Sequence, residues 1–138
     1  MTSVDRFLVA LACRDVDTAM STVADDVMVT VHPLEVHDGQ GTDLRTVLDD
    51  LVAAFPDLLV TVQRSIVTGD IVTVQLKVEG TQAADYAGAV NQDKHLDVDQ
   101  AWRFTVSGDS IANVTAYWCQ QQLLRRLGVR RLDQIAIV

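Results

Sequence analysis

Cysteine is scarce in this sequence, and the two that occur argue against a disulfide-rich or metal-binding class. Cys13 and Cys119 form no CxxC pair and no framework of regular spacings. The three histidines, His32, His37 and His95, show no metal-ligand spacing such as HExxH. We therefore predict free thiols, a cytoplasmic location, and no metal or other cofactor.

Long apolar runs and an excess of basic residues are also missing. The longest apolar run, 7–13, has seven residues, whereas a membrane span needs about 20. Asp5 beside Arg6 leaves no net positive charge before this run, which favours a buried helix over a secretion signal. The net charge of -8 argues against nucleic acid or an anionic membrane as a partner.

No linker, repeat or low-complexity stretch divides the 138 residues. A chain of this length fits one domain, since domains average roughly 150 residues. Hydrophobic residues make up 49% and charged residues 22%, as in ordinary globular proteins. We predict a single domain over residues 1–138 that is large enough to hold a core and an internal cavity.

The first third of the chain is helical in pattern, with one β-branched strand inside it. Thr2 or Ser3 can cap the first helix, Asp15 the second and Thr42 the third, which Pro56 stops. The segments are helices 4–12, 16–23 and 42–55, a strand at 27–32 and a loop at 37–39.

The rest of the chain alternates like strands of a half-buried sheet. Tight turns at Gly69 and Gly108 each join the two strands of a hairpin, residues 80–93 form a long connection, and Gly128 ends a last short helix. The predicted strands and the helix are 58–67, 71–79, 94–106, 110–119 and 120–127. Helices followed by antiparallel strands predict an α+β fold, in which a curved sheet and its covering helices enclose a pocket.

Four short motifs resemble a known family. ALACRDVD (10–17) and ADDV (24–27) resemble the start of nuclear-transport-factor-2-like domains. WRF (102–104) and QLLRRLGV (122–129) are similar to SnoaL-like polyketide cyclases. The resemblance implies a cystatin-like cone with helices packed on a curved antiparallel sheet. It also implies activities that range from cyclase, cofactor-free hydroxylase and epoxide hydrolase to non-catalytic binding.

The sequence departs from this family at two positions. The resemblance places the usual general acid/base, an Asp four residues before the Leu-Leu pair, at Cys119. It places an acid or His, three residues before the Arg of WRF, at Gln100. Cys119 can be a thiol nucleophile, a pocket wall or a buried small hydrophobe, and we favour the last. The usual carboxylate is therefore missing.

Three other polar side chains are candidates for catalysis. Gln100 interrupts an apolar strand face, so it either bonds a substrate oxyanion or is satisfied by neighbouring groups. His32, at the end of a strand, can act as a base toward a carbon acid, or it can bond the backbone. Tyr117 shares the strand face of Cys119 and can donate to an oxyanion.

Large aromatic residues are candidates for substrate binding. Each can equally belong to the core. They are Trp102, Phe104, Trp118 and, at the pocket mouth, Tyr86.

We expect a cofactor-independent cyclase that acts on a polyketide-like or polycyclic substrate. A hydroxylase is one alternative, as is an epoxide hydrolase if Asp97, Asp99 and Arg103 face inward, although strand alternation places these three outside. A non-catalytic ligand-binding or accessory dimer is the other alternative. The apolar tail, 132–138, predicts packing on a partner subunit or the sheet, hence a homodimer.

Overall fold

The computed structural model describes residues 1–129, in which helices cover one face of a six-stranded sheet. A short 3-10 helix, His32–Leu34, links the first two strands. The elements in chain order are α1 (Ser3–Ala12), α2 (Val16–Met20), β1 (Val23–Val31), β2 (Val36–Gly39), α3 (Gly41–Ala54), β3 (Leu59–Thr68), β4 (Ile71–Thr81), β5 (His95–Ser107), β6 (Ser110–Trp118) and α4 (Gln120–Arg126).

The sheet follows the order β2-β1-β6-β5-β4-β3. Every neighbouring pair is antiparallel except β1 and β6, which run parallel because the chain crosses from one side of the sheet to the other. Irregular register, as at 62–64 in β3 and 105–106 in β5, adds the local bending that lets a sheet curve around a core. The predicted α+β cone with its curved sheet is confirmed.

Side-chain caps set the starts of the first two helices, as the sequence predicts. The Thr2 hydroxyl accepts from the backbone N–H of Asp5 at 3.1 Å, while the Asp5 carboxylate accepts from that of Thr2. This reciprocal pair lowers the pKa of Asp5 through the Thr2 hydrogen bonds. Asp15 caps α2 by accepting from the N–H of Thr18 at 3.1 Å.

Aromatic rings join α1 to the inner face of β5, which is the face toward the helices. The Phe7 ring lies 5.9 Å from that of Trp102 and 5.3 Å from that of Phe104. All three side chains are buried. The alternation predicted for β5 is therefore confirmed, with these rings on the inner face and charged residues on the opposite, outer face.

Three local predictions in the first third of the chain are wrong. Residues 37–39 belong to β2 rather than a loop, because Val36 and Gly39 pair with β1. The second helix ends at Met20, since β1 already begins at Val23. Gln40 rather than Thr42 is the N-cap residue of α3, and its backbone N–H donates to the Asp43 carboxylate at 2.8 Å. In each case pairing or capping outweighed the local pattern.

Candidate active site

A groove on the outer face of the sheet contains His32 and Tyr117, two of the side chains predicted to act in catalysis. We call this cavity of about 350 Å³ the outer groove. Its lining combines an imidazole, a phenol, a guanidinium and two hydroxyls with one small residue and one tryptophan whose ring lies on the inner face. These residues are His32, Tyr117, Arg103, Thr73, Thr115, Ala101 and Trp102.

Strand register explains why a groove forms here. Ala101 on β5 lies opposite Tyr117 on β6. The next outer-facing residue of β5, Arg103, lies opposite Thr115 on β6 and Thr73 on β4. Diagonal neighbours such as Tyr117 and Arg103 stand about 7–8 Å apart in this kind of ladder. The small side chain of Ala101 therefore forms the bottom of the groove, between the longer side chains of Tyr117 and Arg103.

His32 enters the groove from the end of β1. Val31 lies opposite Ala116 in the parallel pair, so the next residue, His32, lies beside Tyr117. The ring centroids of His32 and Tyr117 are 6.3 Å apart in an edge arrangement. Pro33, in the first turn of the 3-10 helix, restricts the backbone next to the imidazole. A base and a phenol therefore meet at one end of the groove.

Three functional groups of the outer groove have no polar partner among the residues that the structure describes. Within residues 1–129, the side chains of His32, Arg103 and Tyr117 make no hydrogen bond and no ion pair. The neighbouring His37, in contrast, lies 3.5 Å from the Glu35 carboxylate. Tyr117 is 58% exposed, so its hydroxyl is available to a ligand.

Gln100 lies on the inner face, away from the outer groove. Its side chain is 3% exposed, and its Oε1 accepts from the indole N–H of Trp102 at 2.9 Å. The Trp102 indole N–H therefore satisfies the buried amide oxygen of Gln100 within the core. The structure does not bring Gln100 together with His32 or Tyr117.

Cys119 is exposed, so its preferred interpretation as a buried small hydrophobe is wrong, and Cys13 is exposed as well. The physical reason is that each lies at a helix end. Cys119 is the N-cap residue of α4, just beyond the last residue of β6, and Cys13 is the C-cap residue of α1. Because β6 ends at Trp118, Cys119 shares no strand face with Tyr117, and it does not line the outer groove.

The predicted substrate-binding aromatics are buried in the core. The indole N–H of Trp118 donates to Oε1 of Gln120 at 2.8 Å. The Tyr86 ring packs edge-on against Phe55 at 5.3 Å, and burial together with the nearby Asp50 raises its pKa. With Trp102 and Phe104 these rings fill space between helices and sheet, and only Trp102 also borders the outer groove.

The charged trio of β5 faces outward, as strand alternation predicts. Asp99 and Arg103 are exposed, and Asp97 pairs with Lys77 at 3.4 Å. The condition for the epoxide hydrolase alternative, an inward-facing trio, is therefore not met. Of these three residues only Arg103 lines the outer groove.

Sequence reasoning missed the groove because its walls come from three strands and the 3-10 helix. Thr73, Ala101 and Thr115 carry no signal of their own in the sequence, and Arg103 looks like part of a surface charge ladder. Only the register across β4, β5 and β6 aligns them. The alternation of β5, which places Arg103 outside, was the one available hint.

Within residues 1–129, no helix has the length and hydropathy of a membrane span. The same residues place no group of three or more His, Cys, Asp or Glu side chains where it could hold a metal ion. The tail at 132–138, on which the homodimer expectation depends, lies outside the described residues.

A sequence model of the SnoaL-like polyketide cyclase family matches residues 2–127. Among solved structures, IdmH from Streptomyces antibioticus, described as a proposed polyketide cyclase, is 19% identical with a TM-score of 0.78 and coverage of 92% of this chain and 96% of its own. AclR from Streptomyces galilaeus, described as a proposed hydroxylase, is 17% identical with a TM-score of 0.81. The match covers 91% of this chain and 78% of the AclR chain.

A cystatin fold protein from Novosphingobium aromaticivorans is also similar, at 20% identity and a TM-score of 0.66, with 85% of this chain and 98% of that chain covered. Identities this low establish the fold alone. No curated protein matches the sequence. Together the family match and the shared fold support a small-molecule enzyme-like domain.

Proposed function

Because this chain belongs to the SnoaL-like polyketide cyclase family, we propose that it cyclises a polyketide-like or polycyclic small molecule in the outer groove. One observation carries the proposal. The His32 imidazole and the Tyr117 phenol, which have no polar partner within residues 1–129, lie 6.3 Å apart between ring centroids, on a groove of about 350 Å³. An unengaged base beside an unengaged hydrogen-bond donor is the pair that carbon-acid chemistry requires.

The reaction is an intramolecular aldol closure. Neutral His32 takes the proton of a carbon flanked by carbonyl groups, and the C–H electron pair becomes an enolate. The enolate carbon then forms a C–C bond with a second carbonyl carbon of the same molecule. The π pair of that carbonyl moves to its oxygen, which takes the proton back from the imidazolium. Product and substrate are isomers, so the steps balance without a cofactor.

Tyr117 stabilises the negative charge in this scheme. Its hydroxyl is free to donate to the enolate oxygen as charge develops there, which lowers the barrier most when the donor is already in position. The low floor at Ala101 adds a second contribution, because a flat substrate held between Tyr117 and Arg103 is restrained near a reactive fold. Orientation of this kind can lower a barrier by several kcal/mol.

The proposed site differs from the family positions discussed above. Gln100 is bonded to Trp102 in the core, and Cys119 caps α4 outside the groove. Among residues 1–129 the groove lining contains no carboxylate. The imidazole of His32 therefore takes the part of the base in this proposal, and neither Gln100 nor Cys119 has a direct role.

The test uses an aromatic β-keto ester whose side chain carries a second ketone placed for six-ring closure. Loss of the acidic C–H signal in D2O, followed by proton NMR, reports deprotonation, and chromatography separates the isomeric product. We expect His32→Gln to slow both by roughly 10²-fold, since general bases contribute about 10²–10⁴. We expect a similar loss, about 10²-fold, for Tyr117→Phe.

His95→Gln is the matched control, because His95 is also exposed but lies on the outer face at the far end of β5, within 3.5 Å of the Thr81 hydroxyl. It should leave both rates unchanged. Equal rates for wild type and His32→Gln would refute the proposed base. Binding of the ester without exchange or product would refute the enzymatic proposal and support the alternative of a non-catalytic binding domain.

A further inference from the structure

We propose that the outward side of α4 is a docking surface for an acidic helical segment of a partner protein. This surface is separate from the function proposed above, because α4 contributes no residue to the outer groove. Three observations support it: the concentration of positive charge in this part of the chain, a groove on α4, and the absence of a structural role for its arginines.

Positive charge is concentrated at the end of the sequence. Residues 120–138 carry four arginines and one aspartate, a net charge of +3, whereas residues 1–119 carry a net charge of -11. No Asp or Glu occurs from 110 to 132. The four arginines are Arg125 and Arg126 in the last turn of α4 and, beyond the described residues, Arg130 and Arg131. A charge asymmetry of this kind indicates a surface for an anionic partner.

Two leucines anchor α4 to the core, so that its other side faces outward. Leu123 and Leu127 are fully buried. Gln121, Arg125 and Arg126 are exposed. The helix is therefore held in place by its apolar side, and it presents its polar side to an approaching molecule.

A groove of about 510 Å³, the α4 groove, lies on this outward side. Gln121, Leu124 and Arg125 line it from one face of the helix, and Val129 lines it from just beyond the helix end. Leu124 and Val129 are half-buried and supply apolar surface beside the guanidinium of Arg125. Residues at i, i+3 and i+4 form one stripe along a helix, which suits a second helix that packs along it.

The arginines are not needed to satisfy the end of α4. The side-chain amide of Gln92 donates to the carbonyl oxygen of Leu127 at 3.2 Å and to that of Gly128 at 3.1 Å. The carbonyl oxygen of Arg125 accepts from the N–H of Gly128. The helix dipole places only about half a negative charge at this end. Two guanidinium groups therefore leave a net positive charge there.

This positive charge has no partner in the described part of the chain. Within residues 1–129, neither Arg125 nor Arg126 forms an ion pair, and neither does Asp93, which follows Gln92 in the loop that contacts α4. At physiological salt, charges more than about 8 Å away are largely screened. An approaching partner therefore responds to the local arginines more than to the net charge of -8.

The combination of charge and apolar surface selects the kind of partner. Carboxylates for the arginines, together with apolar side chains for Leu124 and Val129, occur on the two faces of an amphipathic acidic helix. A nucleic acid backbone offers the negative charge without the apolar side chains. An acidic helix is therefore the occupant that fits the whole α4 groove.

The test measures binding of a fluorescein-labelled synthetic peptide that has leucine on one helical face and glutamate on the other. Fluorescence anisotropy gives its affinity. In two control peptides, glutamine replaces every glutamate or serine replaces every leucine. We expect the parent peptide to bind more tightly than either control, and added salt should weaken its binding.

Variants of the protein locate the surface that binds the peptide. Arg125→Gln and Arg126→Gln should each weaken the parent peptide about two- to fivefold, as loss of an exposed ion pair does, and the double variant about tenfold. Leu124→Gln should weaken the parent peptide and leave the leucine-free control unchanged. Arg64→Gln, on β3, removes another exposed arginine without an ion pair in residues 1–129, and should have no effect. Unfolding temperatures of the arginine variants should stay close to that of wild type, because these side chains are exposed.

Three results would overturn the proposal. The first is equal affinity for the three peptides, or an affinity that neither arginine variant changes. The second is a single-stranded oligonucleotide that binds α4 more tightly than the peptide, which would assign the surface to nucleic acid. The third is self-association in sedimentation experiments that Arg125→Gln abolishes, which would make a second copy the occupant. None of these results involves the outer groove, so each leaves the function proposed there unaffected.

Discussion

Replacing Gln100 by leucine distinguishes a core role for this residue from a catalytic one. The Gln100 Oε1 accepts from the Trp102 indole N–H at 2.9 Å, and both side chains are buried. In Gln100→Leu the indole N–H loses this partner, at a cost of about 1–3 kcal/mol. The apolar leucine recovers part of this penalty, so we expect the free energy of unfolding to fall by about 1–2 kcal/mol.

Chemical denaturation measures this loss, and a double-mutant cycle assigns it to the hydrogen bond. Trp102→Phe removes the donor and leaves the Gln100 oxygen without it, whereas the double variant removes both partners. The sum of the two single losses in the free energy of unfolding should therefore exceed the loss in the double variant by roughly 1 kcal/mol, a coupling energy typical of groups in contact. A thermal scan should show the Gln100→Leu loss as a midpoint lowered by about 3–8 °C.

Activity provides the second measurement on the same variant. Because Gln100 is on the inner face and the proposed base is on the outer groove, Gln100→Leu should retain the wild-type rate of C–H exchange below its unfolding temperature. Coupling below about 0.5 kcal/mol would refute the hydrogen-bond argument. Unchanged stability with lost activity would refute the structural assignment and return Gln100 to the role of oxyanion donor.

Two further predictions concern the fold. Phe7→Ala should lower the free energy of unfolding by about 3–5 kcal/mol in denaturant titrations, because it deletes a buried ring that contacts two others. Val9→Ala, on the exposed side of the same helix, is the control. Equal losses of stability in the two variants would contradict the packing described. Asp57 accepts a hydrogen bond from the Thr81 backbone N–H at 2.8 Å, and this bond lowers the pKa of Asp57 below 3.8. The stabilisation that the Asp57 carboxylate contributes is therefore present above pH 3.8. It disappears as the pH falls through the folded-state pKa. Wild type should thus lose more stability than Asp57→Asn on acidification from pH 7, and parallel curves would contradict this reasoning.

Much of the fold could be predicted because its signals are local. The capping box at Thr2 and the cap at Asp15 depend on residues within one helical turn. Gly128 ends α4 with a φ of 82°, a left-handed conformation that glycine adopts without strain. The alternation along β5 identified its buried face without knowledge of the neighbouring strands. The same locality explains the errors: β2 is a strand only because β1 lies beside it.

The candidate site could be predicted only in part. His32 and Tyr117 were selected for their chemistry, but the sequence placed them in a pocket with Gln100, inside the cone. Strand alternation already separates Gln100 from the outward-facing residues of β5, whereas nothing in the sequence reports that β1 and β6 pair in parallel. That pairing places His32 beside Tyr117 on the outer face.

The sequence by itself determined the fold class, the family and the faces of the helices and strands. These properties follow from periodicity, caps, turns and short motifs, all of which act over a few neighbouring residues. The tertiary structure decided which side chains meet. Register across β4, β5 and β6 aligned Thr73, Ala101 and Arg103 with Tyr117, and it formed a groove from residues without a common motif. Contacts between distant segments depend on the packing of the whole sheet, which local patterns do not encode.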